Sequence, residues 1–174
     1  MNPYFKFVVV GDDGVGKTCF QIVFNSKMFP NDYIPTVFES YAYTVNKQSK
    51  TIQFSLWDTV GDQNYDILRQ LSYPGADVFL MCYAIDNKAS FDRLITKYLP
   101  EVRKHCPTIP YIFVGLKEDL RNLSQSVVSD IDVENIIQQE NPQAHIVCSA
   151  LNNFNITLVI NTLIDVALKQ NQLQ

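Results

Sequence analysis

The stretch GDDGVGKT, residues 11–18, follows directly on the apolar run Phe7-Val8-Val9-Val10. Its form, G-x-x-x-x-G-K-T between a β-branched run and a helix-compatible segment, is that of a phosphate-binding loop. Glycine frees the backbone to wrap an anion, with successive N–H groups pointing inward. The first turn of the following helix adds the positive end of its dipole. On this reading Lys17 reaches the β- and γ-phosphates of a nucleotide and the Thr18 hydroxyl binds Mg²⁺. Two free positions of the loop are nonetheless carboxylates, Asp12 and Asp13. A cradle for an anion gains nothing evident from negative charge, so the direction each side chain takes decides what the loop can do.

Outward from the loop, apolar β-rich runs recur at residues 5–10, 41–45, 52–57, 77–83, 111–115 and 145–148. Several are continuous rather than alternating, as expected for strands covered on both faces. Helix-compatible stretches lie at 16–24, 90–104, 132–140 and 155–169, with Ser90 and Asn155 as expected N-caps and Pro107 and Pro142 as stops. The runs at 41–45 and 52–57 are joined by the polar segment 46–50 and read as a hairpin. The expected fold is α/β: a six-stranded, mostly parallel sheet with one antiparallel edge hairpin and helices on both faces, a single domain over residues 1–174. In such sheets ligands bind beyond the carboxyl ends of the strands, where the 11–18 loop lies.

The 174 residues are 47% apolar and 18% charged, the balance of an ordinary soluble globule. A net charge of -4 argues against a nucleic-acid partner, which a basic face would serve. No uninterrupted apolar run approaches the roughly 20 residues that span a bilayer. The N-terminus lacks a signal peptide's cleavage site. The four cysteines, Cys19, Cys82, Cys106 and Cys148, fit no C-x-x-C pattern and are expected to be reduced thiols in a cytoplasmic monomer.

Three further motifs stand at strand ends. Asp58-Thr59-Val60-Gly61 closes the 52–57 run. An Asp there can hold a Mg²⁺-bound water, and the Gly61 N–H can meet a terminal phosphate. Lys117-Glu118-Asp119 follows the 111–115 run; a carboxylate accepting from both N1–H and the 2-amino group selects guanine over adenine. Ser149-Ala150-Leu151 follows the last run, where a backbone N–H can meet guanine O6.

These motifs, in this order, resemble those of a Ras-superfamily small GTPase over residues 5–169, and of its Rho family in particular. The Rho-type stretches are FPNDYIPTVFESY (29–41), LWDT (56–59), YDILRQLSYPGADVFLMCY (65–83) and Asp119-Leu120-Arg121. The resemblance implies a small G-domain that binds GTP and GDP with Mg²⁺, hydrolyses GTP, and signals through two switch segments. It implies phosphate contacts from Asp13, Gly14, Val15, Gly16, Lys17, Thr18, Cys19, Tyr33 and Gly61. Guanine contacts would come from Phe29, Lys117, Asp119, Ser149, Ala150 and Leu151, and metal contacts from Thr18, Thr36 and, through water, Asp58. Effectors would meet Pro35, Val37, Phe38, Glu39, Tyr41, Tyr65, Leu68 and Leu71. An exchange factor and a GDP-dissociation inhibitor are the other implied partners.

The chain also departs from that family. Asp13 stands where the family has Gly, beside the γ-phosphate and the attacking water. A side chain there fills space that the in-line transition state and an arginine finger need. Asp62 replaces the family's water-orienting Gln; it is one methylene shorter and offers no N–H when ionised. Gln63 lies one residue too late to substitute. With Lys17, these two positions define the catalytic set, and both replacements point to a switch that is slow to turn off. Leu116 replaces the Asn or Thr that opens the base motif, and either loosens the nucleotide or packs beneath the loop. The segment 121–149 is too short for the extra charged helix of Rho proteins. The sequence ends at Asn171-Gln172-Leu173-Gln174 without a polybasic tail or prenylation motif, so membrane association is expected only through a tail absent from it. Two rivals remain: a GTP-locked binding module without hydrolysis, and another phosphate-loop enzyme such as a nucleotide kinase, against which stands the lack of an Arg-rich lid after Asp119.

Overall fold

The computed structural model describes residues 3–32, 38–47 and 49–172, with the Phe38 side chain excepted. Six strands form one sheet in the order β2-β3-β1-β4-β5-β6. They are β1 (Tyr4–Gly11), β2 (Phe38–Lys47), β3 (Lys50–Thr59), β4 (Val78–Ala84), β5 (Tyr111–Leu116) and β6 (His145–Val147). Only the β2–β3 pair is antiparallel; β1 runs parallel to β3 on one side and β4 on the other. The expected fold class is therefore the one found.

The unbroken apolar run of β1 has a direct cause. Phe5, Phe7 and Val9 face one core, filled from the other side by Phe20 and Val23 of α1 (Lys17–Ser26) and Val159, Ile160 and Leu163 of α6 (Ile156–Gln172). Val8 and Val10 face a second core with Leu94, Tyr98 and Leu99, joined by Phe91 of α3 (Lys88–Arg93), Val102 of α4 (Leu99–His105) and Val133 of α5 (Asp130–Glu140). A strand covered on both faces needs no polar alternation. The short α2 (Asp66–Gln70) follows a 3₁₀ turn, Gln63–Tyr65, after β3.

Local details depart from the sequence reading. The cap of α3 is Asn87, whose side chain accepts from the Ser90 N–H at 3.1 Å; Ser90 itself is buried and donates to the Asn87 carbonyl at 2.7 Å. Asn155 precedes α6 but adopts φ 58° and donates from Nδ2 to the Val147 carbonyl instead of capping. The helix expected over 90–104 is split by a π turn, Leu94–Tyr98, just before Pro100. Proline has no N–H to give the preceding turn and its ring crowds the carbonyl there, and a widened turn relieves both. The hairpin is tighter than expected, since the pairing extends to Lys47 and Lys50. No helix lies between Leu120 and Asp130, where the extra Rho-type helix would insert.

Candidate functional site

The carboxyl ends of β1, β3 and β5 converge on two adjoining cavities. One, of about 210 Å³, is lined by Asp13, Gly14, Gly16, Lys17, Thr18, Thr59, Val60, Gly61 and Lys117, with Cys19, Ile22, Pro30 and Asp32 at its side. The second, of about 260 Å³, is lined by Gly16, Cys19, Phe29, Leu116, Lys117, Asp119, Leu120, Ala150 and Leu151. Gly16, Cys19 and Lys117 border both, so the two read as one groove with a polar end and an apolar end.

At the polar end, α1 begins on Gly16, whose φ of 106° favours a residue without a Cβ. Lys17 is 6% exposed, and its ammonium donates to the Gly11 carbonyl at 2.9 Å and the Asp12 carbonyl at 2.7 Å. Burial pushes its pKa below the ordinary lysine value, opposed chiefly by the nearby Asp58 charge. The Thr18 hydroxyl donates to Asp58 Oδ2 at 2.5 Å. Asp58 is 1% exposed, and its other oxygen is buried without a hydrogen bond. Burial raises its pKa, against the pull of Lys17 and Thr18. Gly61 presses on the loop so closely that a Cβ there would lie 2.2 Å from the Asp13 nitrogen. Val15 belongs to the loop by its backbone alone, since its side chain is buried in the core.

At the apolar end, Asp119 Oδ1 accepts from the Ser149 hydroxyl at 2.5 Å, which orients the carboxylate and leaves its second oxygen to a ligand. Ser149 is itself buried, and it contributes through Asp119 and not by lining the cavity. Phe29, 42% exposed, forms one wall, with Ala150 and Leu151 among the other linings. A flat apolar slot with a carboxylate at one side, continuous with a cationic loop, has the chemistry of a purine nucleotide site. A family model described as the Ras family matches residues 6–169. The chain belongs to the Ras family. It therefore carries a GTP-binding small-GTPase domain of the kind that works as a switch, typically with Mg²⁺.

The oxygens present fit Mg²⁺. A hard cation that keeps several waters needs few protein oxygens, and the orphaned Asp58 Oδ1 beside the Thr18 hydroxyl supplies that donor chemistry. The expected second protein ligand, Thr36, lies outside the described residues, as do Tyr33, Pro35 and Val37 and the side chain of Phe38.

Within this Ras-family frame the two loop aspartates part company. Asp13 is exposed and lines the phosphate cavity. Asp12 turns away to Arg93, which grips its Oδ2 through Nε and Nη2, while the Tyr98 hydroxyl lies 3.2 Å from Oδ1. Asp62 bends back on its own chain and accepts from the Asn64 N–H at 2.8 Å, capping the 3₁₀ turn. Leu116 is 2% exposed, and its Cδ1 would stand 3.9 Å from a Cβ on Gly16. It packs beneath the phosphate loop, beside Gly16. Burial raises the Cys19 thiol above its ordinary pKa, against the pull of Lys117.

On the switch side, α2 buries its cation and exposes its hydrophobes. The Arg69 guanidinium donates to Asp66, Glu101 and the Val60 carbonyl, and Tyr73 adds a short bond to Glu101. Ile67 is 79% exposed, Leu71 71%, Tyr65 42% and Leu68 37%. On the outer edge strand β2, Glu39 accepts from the Tyr41 hydroxyl at 2.9 Å. Sequence reasoning missed Ile22, Pro30, Asp32, Leu120, Arg69, Arg93 and Tyr98. Each of the last three is an ordinary helix residue whose role depends on partners far along the chain.

Proposed function

We propose that this Ras-family protein is a Rho-type guanine-nucleotide switch, one domain over residues 1–174, whose GTP hydrolysis is strongly impaired. One observation carries the impairment: Asp13 lines the phosphate cavity while Asp62, in the water-orienting position, is spent on its own backbone. A carboxylate on the wall nearest the γ-phosphate repels it and occupies room needed by the in-line geometry. A side chain already bonded to Asn64 N–H holds no water in place for attack.

The remaining residues are suited to binding. The Lys17 ammonium, now shared between two loop carbonyls, meets β- and γ-phosphate oxygens, as do the loop N–H groups of residues 13–19 and that of Gly61. Thr18 and Thr36 would ligate Mg²⁺ directly and Asp58 would do so through water; bound there, the metal would neutralise phosphate charge. Asp119 accepts from guanine N1–H and the 2-amino group, Phe29 and Lys117 hold the base from its faces, and Ala150 and Leu151 stand near O6. Tyr33 closes over the phosphates. Order in the switches around the γ-phosphate then presents Pro35, Val37, Phe38, Glu39, Tyr41, Tyr65, Leu68 and Leu71 to effectors. Exposed leucines on a helix that buries its arginine support such a partner surface, since solvent alone favours the reverse. The Rho assignment rests on residues 29–41, 56–59 and 65–83.

The test is to identify the nucleotide that copurifies with the protein and to follow single-turnover hydrolysis of bound GTP. Retained GTP with a rate far below that of an ordinary Rho-type protein is expected. A rate typical of the family would overturn the impairment and leave guanine binding intact. A rate of zero, unmoved by any activating protein, would favour the alternative of a GTP-locked binding module. Binding of adenine nucleotides in preference to guanine would remove both.

A further inference from the structure

Asp12 is held from both ends. Its carbonyl accepts from Lys17 Nζ at 2.7 Å, and its carboxylate accepts from Arg93 Nε at 2.6 Å. Arg93 ends α3, 81 residues further along the chain. The Tyr98 hydroxyl, in the π turn, donates to the Gly61 carbonyl at 2.7 Å and stands beside Asp12 Oδ1. Gly61 in turn lies against the Asp12–Asp13 peptide. The Tyr98 ring is itself fixed, with the Arg69 guanidinium 4.9 Å from its centroid and Arg69 Nη1 donating to the Val60 carbonyl. The phosphate loop, the start of switch II and the α3–α4 segment thus meet in one joint.

We infer that Arg93 and Tyr98 are positioning residues of the nucleotide site: Arg93 neutralises Asp12 and holds its charge away from the phosphates, and Tyr98 fixes the Gly61 peptide against the loop. This rests on the guanine-nucleotide reading above. The loop carries two carboxylates where its ligand carries several negative charges, and only Asp13 faces the cavity. The Asp12 side chain is 14% exposed, so solvent screens its charge only in part and the Arg93 guanidinium screens the rest. Arg93 does so through two N–H groups, Nε and Nη2, that converge on the single oxygen Oδ2. The Arg93 side chain is 45% exposed, so the pair adds little to folding stability. Its loss is felt by the ligand instead: an uncompensated Asp12 turns its field on the phosphates, most strongly on the triphosphate. Removing the Tyr98 hydroxyl frees the Gly61 carbonyl, and the N–H of that glycine is the group that meets the terminal phosphate.

The experiment measures affinities for GDP and a non-hydrolysable GTP analogue, by displacement of a fluorescent guanine nucleotide in Mg²⁺, alongside thermal unfolding. Arg93→Ala is expected to weaken the triphosphate about tenfold and the diphosphate by a smaller factor, within the range of ordinary couplings between sites. Its unfolding temperature stays near that of the wild type. Asp12→Asn added to Arg93→Ala restores most of the loss, because the uncompensated charge has gone, and Arg93→Lys retains part of it. Tyr98→Phe lowers the triphosphate-to-diphosphate preference. Equal losses for both nucleotides, a loss that Asp12→Asn does not rescue, or no change in either affinity would overturn the inference while the guanine-binding reading stands. A wild-type protein that binds neither nucleotide would overturn both.

Discussion

Thr18 Oγ1 and Asp58 Oδ2 lie 2.5 Å apart, joining the first turn of α1 to the end of β3 across 40 residues of chain. The bond uses one oxygen of a buried carboxylate and leaves the other unbonded beside the phosphate loop. Thr18→Asn removes the hydroxyl and crowds Asp58. It is expected to weaken the triphosphate more than the diphosphate, because the ion it would help ligate would have more phosphate charge to neutralise there. Titrations of both nucleotides with Mg²⁺ and with chelator measure the difference. Equal losses would remove Thr18 from the metal site.

Hydrolysis should return when both aspartates revert to the family pattern. Asp13→Gly opens the space beside the γ-phosphate, and Asp62→Gln supplies an amide to orient water. Neither change alone is expected to suffice. The double variant should gain about 10²- to 10³-fold in single-turnover rate, the usual worth of one such group. Asp62→Gln also removes the cap on the Asn64 N–H and should cost about 0.5–2 kcal/mol of stability in urea unfolding. A gain from Asp62→Gln alone equal to that of the double variant would clear Asp13 of any role.

On the function proposed above, base choice would depend on Asp119. Asp119→Asn keeps an oxygen for the Ser149 hydroxyl and turns an amide toward the base. Preference should move from guanine to xanthine nucleotides, with each lost charge-assisted bond worth roughly 1.5–3 kcal/mol. Competition between GDP and xanthosine diphosphate reads this out, and an unchanged GDP affinity would reassign the base site.

The ion cluster around Arg69 that anchors α2 should titrate at acid pH. Burial alone would raise the Glu101 carboxyl, but the Arg69 guanidinium and the Tyr73 hydroxyl hold it below the ordinary glutamate range. A depressed folded value means the stabilisation is full above the unfolded value, about 4.3, and is lost as pH falls below it through the folded one. Asp66, bonded to Arg69 and Lys97, is shifted the same way. Wild-type stability should therefore drop on acidification below about pH 4.3, and Glu101→Gln should flatten that limb. Glu101→Ala, which leaves the buried Arg69 guanidinium only Asp66 and the Val60 carbonyl, is expected to cost about 1.5–3 kcal/mol at neutral pH. An acid limb unchanged in Glu101→Gln would place the titrating group elsewhere.

What the sequence determined by itself is local. The 11–18 loop, the D-x-x-G turn and the runs for all six strands are encoded in spacings of a few residues, because backbone geometry repeats at that scale. The alternation of strands and helices then left few topologies, and the observed sheet is the expected one. Asp13, Lys17, Thr18 and Gly61 come together because each sits in the turn that follows a strand or in the helix turn that opens directly after it. Boundaries and caps were less legible: Asn87 outcompetes Ser90 as a cap, and Pro100 is absorbed by a π turn rather than ending the helix. Only the tertiary structure decided where charge goes. Nothing near GDDGVGKT says that Asp12 pairs with Arg93, that Arg69 is buried on Glu101, or that Leu116 packs below Gly16. Such choices depend on which side chains the packed helices bring within about 3 Å, where a buried charge finds a counter-ion or is expelled. The two loop aspartates are identical in composition and adjacent in sequence. One faces the phosphate cavity and the other an arginine because the end of α3 and the π turn that follows it pack over the sheet beside the loop, a fact that no local spacing carries.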